Sequence, residues 1–311
     1  MIEIRHLMHA VALAEHRNFA RAAKALHLSQ PALTRSIQVL EERMGVLLFE
    51  RKRSGVVPTD AGQITLRRAQ AIVGQTNDLL REVGGIDRKD QEEIRISAGP
   101  YPAGMILSSA IASMLKKKTN LRFKVEVDHW VEAIEKLRER QVDFALCEAS
   151  EVNDSLLKKM PLLRHTARPA VRDGHPLLQS NATSLEQVMK WPLAITARLP
   201  PRISENLTVA ANSISGFEPA VHCEDTGFLK SLVLSSDAVG FFPPAMIEKE
   251  LTSRLLHTLD IDQPWLVTNF NLFHLKARSP SPVALEFIEE LKLADEQVAA
   301  KNQRLAEFSA R

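Results

Sequence analysis

The stretch FARAAKALHLSQPALTRSIQVLEE, residues 19–42, decides the fold of the N-terminal part of the chain. It predicts two short helices joined by a tight turn, because apolar residues recur at helical spacing on both sides of residues 27–29. Asn18 can cap the first helix and Ser29 the second, and Pro31 suits the first turn of the second helix, where no backbone donor is needed. The outward face of that helix then carries Gln30, Pro31, Thr34, Arg35 and Gln38. Such a face can read base edges, so the stretch predicts a helix-turn-helix that binds DNA.

The segments that follow support this interpretation. Residues 47–58, LLFERKRSGVVP, predict a β-hairpin wing whose basic tip, Arg51 to Arg53, is expected to lie against phosphates or a minor groove. From the cap Thr59 a helix is predicted to about Val83, ending at Gly84 and Gly85, and the polar run 87–93 is expected to be a hinge. The helix has only a narrow apolar stripe, which predicts pairing with a second copy. The stripe comprises Ala61, Ile64, Ala69, Ile72, Thr76, Leu79 and Val83.

From residue 94 onward, short apolar runs alternate with helical patterns. This alternation predicts mostly parallel sheets covered on both faces, arranged as two lobes with a ligand cleft between them. Strands are expected at 94–96, 123–127, 142–147, 192–196, 220–223, 238–242 and 266–275, and a closing helix at 281–292.

Composition sets the class of protein. The chain has 311 residues, 45% of them hydrophobic and 25% charged, which is typical of a soluble protein of two or three domains. Residues 1–90 carry 14 Lys and Arg against 10 Asp and Glu, and the remainder 26 against 28, so the basic excess lies in the predicted DNA-binding part. The two cysteines and the absence of a signal peptide or an 18-residue apolar run predict a cytoplasmic protein that does not contact a membrane.

Several motifs together resemble the LysR-type transcriptional regulators. They are AxxxNFARAAKALHLSQPALTRSIQVLEERMGVLLFER from Ala14, PTDAG at 58–62, VDFAL at 142–146, VGFFP at 239–243 and KARSPSP at 276–282. The resemblance implies an α/β protein overall, with an N-terminal winged helix-turn-helix, a long linker helix and a two-lobed α/β effector-binding domain that resembles periplasmic binding proteins.

The same resemblance implies the domain limits and partners. The DNA-binding domain spans 1–58, the dimerisation helix 59–86, the hinge 87–93 and the effector-binding domain 94–311. Lobe one covers about 94–162 and 266–295, and lobe two about 163–265. The expected partners are a double-stranded DNA operator, further copies in a homotetramer built as a dimer of dimers, a small-molecule effector and RNA polymerase. No cofactor and no metal are expected.

Site residues also follow from the resemblance. The DNA contacts would be Ser29, Gln30, Pro31, Thr34, Arg35, Gln38, Arg51 and Arg53. The effector contacts would be Gly99, Pro100, Tyr101, Asp128, His129, Trp130, Arg202, Ile203, Ser204, Thr226 and Phe242.

The first of these effector positions departs from the family pattern. Many members have Ser or Thr where this chain has Pro100-Tyr101-Pro102, and two prolines remove amide donors that would hold a carboxylate. Tyr101 and Trp130 instead indicate an aromatic or partly apolar ligand, with plain core packing as the alternative.

Three other functions compete with an effector-controlled regulator. A redox-sensing regulator of the same family would use Cys147 and Cys223, but each is followed by a glutamate, which opposes thiolate formation. An architectural DNA binder without an effector would leave about 200 residues of α/β structure unexplained. An enzyme is disfavoured, because the sequence has no GxSxG, HExxH, P-loop or GxGxxG motif, and its two SxxK matches lack companion motifs.

Overall fold

The computed structural model of the chain describes residues 2–52, 55–87, 92–149, 151–179, 184–196, 199–212, 217–261 and 263–309. The chain divides into two units. The first contains residues 1–91 and 135–142, and the second contains residues 92–134 and 143–311.

The first unit opens with three helices, and the caps predicted for the second and third are confirmed. Asn18 Oδ1 accepts a hydrogen bond from Arg21 N at 3.0 Å, and Ser29 Oγ accepts one from Ala32 N at 3.3 Å. Both bonds satisfy a first-turn amide that has no partner within its helix. The elements of this unit are α1 Ile4–His16, α2 Phe19–Ala25, α3 Gln30–Met44, the antiparallel strands β1 Phe49–Lys52 and β2 Gly55–Pro58, and α4 Asp60–Asp87.

Buried apolar side chains form the core between the three helices. Ala22, Leu33 and Leu40 are completely buried, and Ile37 nearly so, as the 3.6-residue spacing predicts. The corner between α2 and α3 turns through His27, whose φ of 57° is the left-handed conformation. The helix-turn-helix is therefore a rigid packed unit that presents one face of α3 outward.

Helix α4 begins as predicted but ends later. Thr59 Oγ1 accepts from Gly62 N at 2.9 Å and caps the helix. The predicted end at Gly84 and Gly85 is wrong, since α4 continues to Asp87. A glycine costs a helix about 1 kcal/mol, but unlike proline it keeps the N–H that continues the hydrogen-bond ladder. Residues 88–91 of the predicted hinge lie outside the described residues.

The second unit contains two mixed sheets. Its elements in chain order are β3 Glu92–Ala98, α5 Pro100–Pro102, a π-helical turn Ala103–Leu107, α6 Ser108–Lys117, β4 Leu121–Val127, α7 Trp130–Arg138, β5 Phe144–Cys147, β6 Leu157–Thr166, β7 Arg168–Arg172, α8 Pro176–Gln179, α9 Leu185–Val188, β8 Leu193–Ile195, α10 Pro201–Ala210, β9 Val221–His222, α11 Thr226–Ser235, β10 Val239–Phe242, a 3-10 turn Pro244–Ile247, α12 Glu248–Thr252, β11 Leu256–Thr258, β12 Val267–Leu275 and α13 Pro282–Ser309.

Each lobe is built on one five-stranded sheet. Lobe one has the order β4-β3-β5-β12-β6, and lobe two has β11-β7-β10-β8-β9. In lobe one, β3 runs parallel to β4 and β5, but β12 is antiparallel to both β5 and β6. In lobe two, β10 is parallel to β8 and antiparallel to β7.

The sheets thus correct the prediction of mostly parallel strands. Strands β6, β7 and β11, which the sequence pattern did not predict, supply antiparallel partners. Strand β6, LKKMPLLRHT, mixes basic and apolar residues without regular alternation, which weakens the sequence signal, and its internal Pro161 is typical of an edge strand. Because β6 runs to Thr166, the predicted lobe boundary at residue 163 falls inside a lobe-one strand.

The chain crosses between the lobes twice, and the two crossings run side by side. One passes from β6 through Ala167 to β7, and the other from β11 to β12. Ala167 N donates to Leu266 O at 2.8 Å, and Leu259 N donates to Pro169 O at 2.9 Å, so the crossings are hydrogen-bonded to each other. Helix α13, predicted to end near Lys292, continues to Ser309.

Candidate functional site

The outward face of α3 holds most of the predicted DNA contacts. Ser29, Gln30, Pro31, Arg35 and Gln38 are exposed, and Thr34 is half-buried. The Thr34 hydroxyl donates to Gln30 O at 3.0 Å, so its side chain is held against its own helix and keeps lone pairs for an incoming donor. Together these residues form a continuous polar surface on one side of the helix.

Three side-chain hydrogen bonds fix α3 in position, and sequence patterns revealed none of them. His9 Nδ1 lies 2.7 Å from Ser36 Oγ and ties α1 to α3, and burial lowers the pKa of His9, with His6 and Arg5 adding to the effect. Glu41 Oε1 accepts from Leu48 N at 2.7 Å and Phe49 N at 3.2 Å, so the end of α3 holds the start of the wing.

Arg51 lies on strand β1 of the wing, whereas Arg53 is outside the described residues. The Arg51 guanidinium carbon lies 5.2 Å from the centre of the Phe19 ring, within the range of a cation–π contact. Val56 N donates to Arg17 O at 2.9 Å, and Gly55 has a φ of 116° with no room for a Cβ beside Arg17 O. The hairpin is therefore held against α1 and α2, beside the N-terminus of α2.

Tyr101 joins the two lobes. Its hydroxyl donates to Phe241 O of lobe two at 3.0 Å, and burial raises the pKa of this phenol well above its ordinary value. Its ring packs against the hydrophobic cores of both lobes. Core packing, the alternative given for Tyr101, is therefore confirmed, and the same side chain also lines a cavity.

A small apolar cavity of about 40 Å³ lies between the lobes, within about 450 Å³ of space that includes open solvent. Two of the predicted effector residues, Tyr101 and Ile203, form part of its wall. The remaining wall residues were not predicted, since apolar residues at helical or strand spacing look the same whether they face a core or a cavity. The full lining is Tyr101, Ala167, Ile195, Leu199, Ile203, Leu207, Phe241, Pro243, Leu266 and Thr268.

A second opening, the polar concavity, encloses about 800 Å³ of space that includes open solvent. The predicted residues Thr226 and Phe242 belong to it, although Phe242 itself is completely buried. Successive side chains of a strand point to opposite faces, so Phe241 and Phe242 of β10 place the two cavities on opposite sides of the lobe-two sheet. The lining is Gly104, Met105, Ser109, Thr226, Gly227, Lys230, Phe242, Ala245, Met246, Val298 and Lys301.

Arg202 bridges the lobes instead of lining either cavity. Its guanidinium donates to Trp265 O and Val267 O, both at 2.6 Å, and to Glu148 Oε1 at 3.3 Å. Burial raises the pKa of Glu148, and the nearby Arg202 only partly offsets that effect. Helix α10 of lobe two is thus joined to the end of β5 in lobe one.

The other predicted effector residues also lie outside the lining of both cavities. Asp128 Oδ2 accepts from Ser97 Oγ at 2.8 Å, and His129 Nδ1 lies 3.3 Å from Glu132 Oε2. These side chains support the start of α7. The remaining members of this group are Gly99, Pro100, Trp130 and Ser204.

A buried polar chain connects α13 to both lobes. His165 Nε2 lies 2.7 Å from Asp295 Oδ1, and Asn302 Nδ2 lies 3.1 Å from His165 Nδ1. Asn302 Oδ1 accepts from Ala245 N of lobe two at 2.7 Å. The part of α13 beyond the predicted end therefore holds the lobes together.

Family models cover most of the chain. The model described as bacterial regulatory helix-turn-helix protein, lysR family, matches residues 4–63, and the LysR substrate binding domain matches residues 87–295. None of the described helices is both long and apolar enough to cross a bilayer.

Curated relatives and solved structures agree with these models. A Pseudomonas sp. (strain ATCC 19151) protein named SDS degradation transcriptional activation protein is 30% identical over 282 residues, which is 90% of this chain and 91% of that protein. A full-length OxyR variant from Pseudomonas aeruginosa shares the fold with a TM-score of 0.70 at 17% identity, covering 96% of this chain and 97% of that one. CbnR complexed with its target DNA has a TM-score of 0.63 at 21% identity, covering 94% and 100%. The chain therefore belongs to the LysR family of bacterial transcriptional regulators.

Proposed function

We propose that this regulator binds its operator through the outward face of α3 and the wing, and that a small, largely apolar effector controls it from the cavity between the lobes. The observation that carries the effector class is the wall of that cavity: among the described residues it is aliphatic and aromatic, apart from the hydroxyl groups of Tyr101 and Thr268. An apolar wall gains most from a ligand that buries hydrocarbon.

The DNA contacts we propose are the exposed residues of α3 with Thr34, together with Arg51 and Arg53 of the wing. Arg35 and Gln38 can form two hydrogen bonds to one base, whereas a wing arginine gives affinity through phosphates. The stack of Arg51 on Phe19 supports this role by fixing the side chain at the edge of the helix-turn-helix.

Two half-sites require two copies, and α4 is the proposed dimer contact. Four of its large apolar side chains are between 42% and 65% exposed: Ile64, Ile72, Leu79 and Leu80. Burying them against a second α4 would remove apolar surface from water. Assembly of two such dimers on the operator, and contact with RNA polymerase, complete the proposal.

Effector binding is proposed to change the angle between the lobes. Tyr101, Arg202 and Asn302 each bond across the lobe junction, and the cavity lies between the same two lobes. A ligand shifts such an equilibrium only if it binds one arrangement better than the other. The Pseudomonas relative is named for SDS degradation, and SDS carries a long alkyl chain, so a ligand with an aliphatic part is consistent with that relative.

A thermal-shift titration of the full-length protein tests the effector class. We expect 1-decanol, decanoate or an aromatic acid to raise the melting temperature saturably, because a ligand that binds only the folded state stabilises it. Ile203→Ser should abolish the shift, and Val209→Ser, on the exposed side of the same helix, should leave it unchanged. No saturable shift with any of the three ligands, or an equal loss in both variants, would refute an apolar effector.

A thiol switch is less well supported than an effector switch. Cys147 is completely buried, and burial, reinforced by Glu148, raises its pKa to about 12, so little thiolate forms at neutral pH. Cys147 ends a lobe-one strand and Cys223 follows a lobe-two strand. An architectural role without an effector would leave the cavity between the lobes without a purpose.

A further inference from the structure

The polar concavity differs in chemistry from the apolar cavity. Among the described residues that line it, two side chains are charged, and both are lysines. Lys301 is on α13, which packs on lobe one, whereas Lys230 is on α11 of lobe two. A ligand in this opening would therefore meet positive charge from both sides.

Each lysine is oriented by a glutamate that lies outside the lining. Lys230 Nζ lies 2.8 Å from Glu250 Oε1, and Lys301 Nζ lies 2.7 Å from Glu248 Oε2. An ammonium group has three N–H donors, so each lysine keeps donors for a ligand after bonding to its glutamate. The two ion pairs are formally neutral, so a ligand would be held by the free N–H donors of the ammonium groups, whose positions the carboxylates fix.

Hydroxyl groups complete the polar part of the wall. Ser109 of lobe one and Thr226 of lobe two line the concavity with the lysines. The first amides of α11 do not contribute, because Asp225 Oδ1 already accepts from Gly227 N at 2.8 Å and Phe228 N at 3.1 Å. Recognition therefore depends on four side chains. The volume that a ligand could fill, about 310 Å³, is at the lower end of the range for small-molecule pockets.

We propose that the polar concavity is a second ligand site, distinct from the apolar cavity, and that it binds a small oxyanion such as a carboxylate, sulfate or phosphate group. Lys230 and Lys301 hold the anion from opposite lobes, with Ser109 and Thr226 donating hydrogen bonds. Charge-assisted hydrogen bonds of this kind are roughly twice as strong as neutral ones.

Anion binding at this site changes how the lobes are joined. Glu248 of lobe two pairs with Lys301 and lies 3.5 Å from Arg304, both on α13. An anion that binds the remaining donors of Lys301 repels the Glu248 carboxylate, so it weakens this direct contact between the lobes and adds a bridge through the ligand. The site can thus influence the same lobe angle as the apolar effector.

Calorimetric titration of the full-length protein tests the site. Inorganic phosphate, sulfate and succinate are titrated separately at constant pH and ionic strength, with chloride as the reference anion and no apolar ligand present. We expect saturable binding of at least one of them. Lys230→Gln and Lys301→Gln should each weaken it about tenfold or more. The matched control is Lys292→Gln, which removes a lysine paired with Glu289 on α13 away from the concavity.

Two further variants separate binding from folding. Glu248→Gln should tighten anion binding several-fold, because it frees Lys301, and Lys301→Arg should retain binding, because it keeps the charge. The proposal is overturned if none of the three anions binds more tightly than chloride, if Lys292→Gln weakens binding as much as Lys301→Gln, or if Glu248→Gln fails to tighten it. If the glutamine variants of the lysines do not fold, the Glu248→Gln titration decides. Since the probe is an anion alone, failure here leaves the apolar effector proposal standing.

Discussion

We propose that single side chains on α3 determine which bases the regulator reads. Arg35 is exposed on the outward face, one residue beyond Thr34, whose hydroxyl is bound back to Gln30 O. The two neighbours therefore differ in reach, because Thr34 stays close to its helix whereas Arg35 extends from it. This difference makes Arg35 the better candidate for a contact with a guanine.

Arg35→Ala is expected to lower operator affinity by about 5- to 100-fold, the equivalent of roughly 1–3 kcal/mol, and to lower non-specific affinity much less. Binding titrations on operator and random duplexes at one salt concentration measure both losses. Arg43→Ala, in the last turn of the same helix, is the control and should reduce both affinities little. Equal losses on the two duplexes would reassign Arg35 to a phosphate contact.

Asp143 is a residue whose charge stabilises lobe one. Its carboxylate accepts from Arg95 N at 2.8 Å and Arg95 Nη2 at 3.1 Å, and it also pairs with Arg278. Burial alone would raise the pKa of Asp143, but Arg278 and Arg95 outweigh burial and hold the pKa below the ordinary value of 3.8. A carboxyl with a lowered pKa stabilises the fold at higher pH, and that contribution disappears as the pH falls through the folded-state pKa.

Asp143→Asn should therefore destabilise the second unit by roughly 2 kcal/mol at pH 7, and the difference from the wild type should shrink as the pH falls below 3.8. Urea unfolding followed by tryptophan fluorescence measures this, because Trp130, Trp191 and Trp265 all lie in that unit. Asp173→Asn removes an exposed partner of His257 and should have little effect. A difference that stays constant with pH would show that the charge of Asp143 is not what stabilises the lobe.

At the scale of elements, local signals in the sequence predicted helix starts better than helix ends. Asn18, Ser29 and Thr59 bond to amides within three residues, so a short window of sequence contains the whole interaction. The ends of α4 and α13 depend on packing and on the absence of a breaker. The pairing of β6 with β12 joins residues about 100 apart, such as Leu157 and Leu275, and no local pattern specifies it.

The same contrast holds for the candidate sites. The polar face of α3 was predictable because helical periodicity separates it from a buried face. The cavity walls were predictable only at Tyr101, Ile203, Thr226 and Phe242, where a family pattern supplied the positions. Lys230 and Lys301 carry no motif, and only the fold brings their helices to one opening.

Helix α4 gives an element-scale prediction. Leu79→Asp is expected to weaken dimerisation strongly, because it places a charge in the proposed apolar contact of both copies. Sedimentation velocity over a range of concentrations measures the change. Gln63→Asp, on a different exposed face of α4, should leave the association unchanged. A dimer that survives Leu79→Asp with unaltered affinity would place the main contact elsewhere.

At the scale of the whole molecule, charge placement predicts how DNA binding responds to salt. Log affinity should fall linearly with log salt concentration, because binding releases counterions from the phosphates. Arg51→Ala should make the slope shallower by about 0.9 per protomer if Arg51 neutralises one phosphate. Lys292→Ala, in the other unit, is the control and should leave the slope as it is. A slope that Arg51→Ala does not change would remove the wing arginine from the phosphate contacts.

The two crossings between the lobes have a mechanical consequence. Two chain segments that run side by side, hydrogen-bonded to each other through Ala167 and Leu259, are expected to act as a two-stranded hinge. Such a hinge would permit changes in the angle between the lobes and would resist sliding or twisting of one lobe against the other. A ligand on either side of the lobe-two sheet then acts on one shared coordinate, the opening angle. The proposed apolar effector and the proposed oxyanion would thereby both change the same angle, and their effects on it would combine.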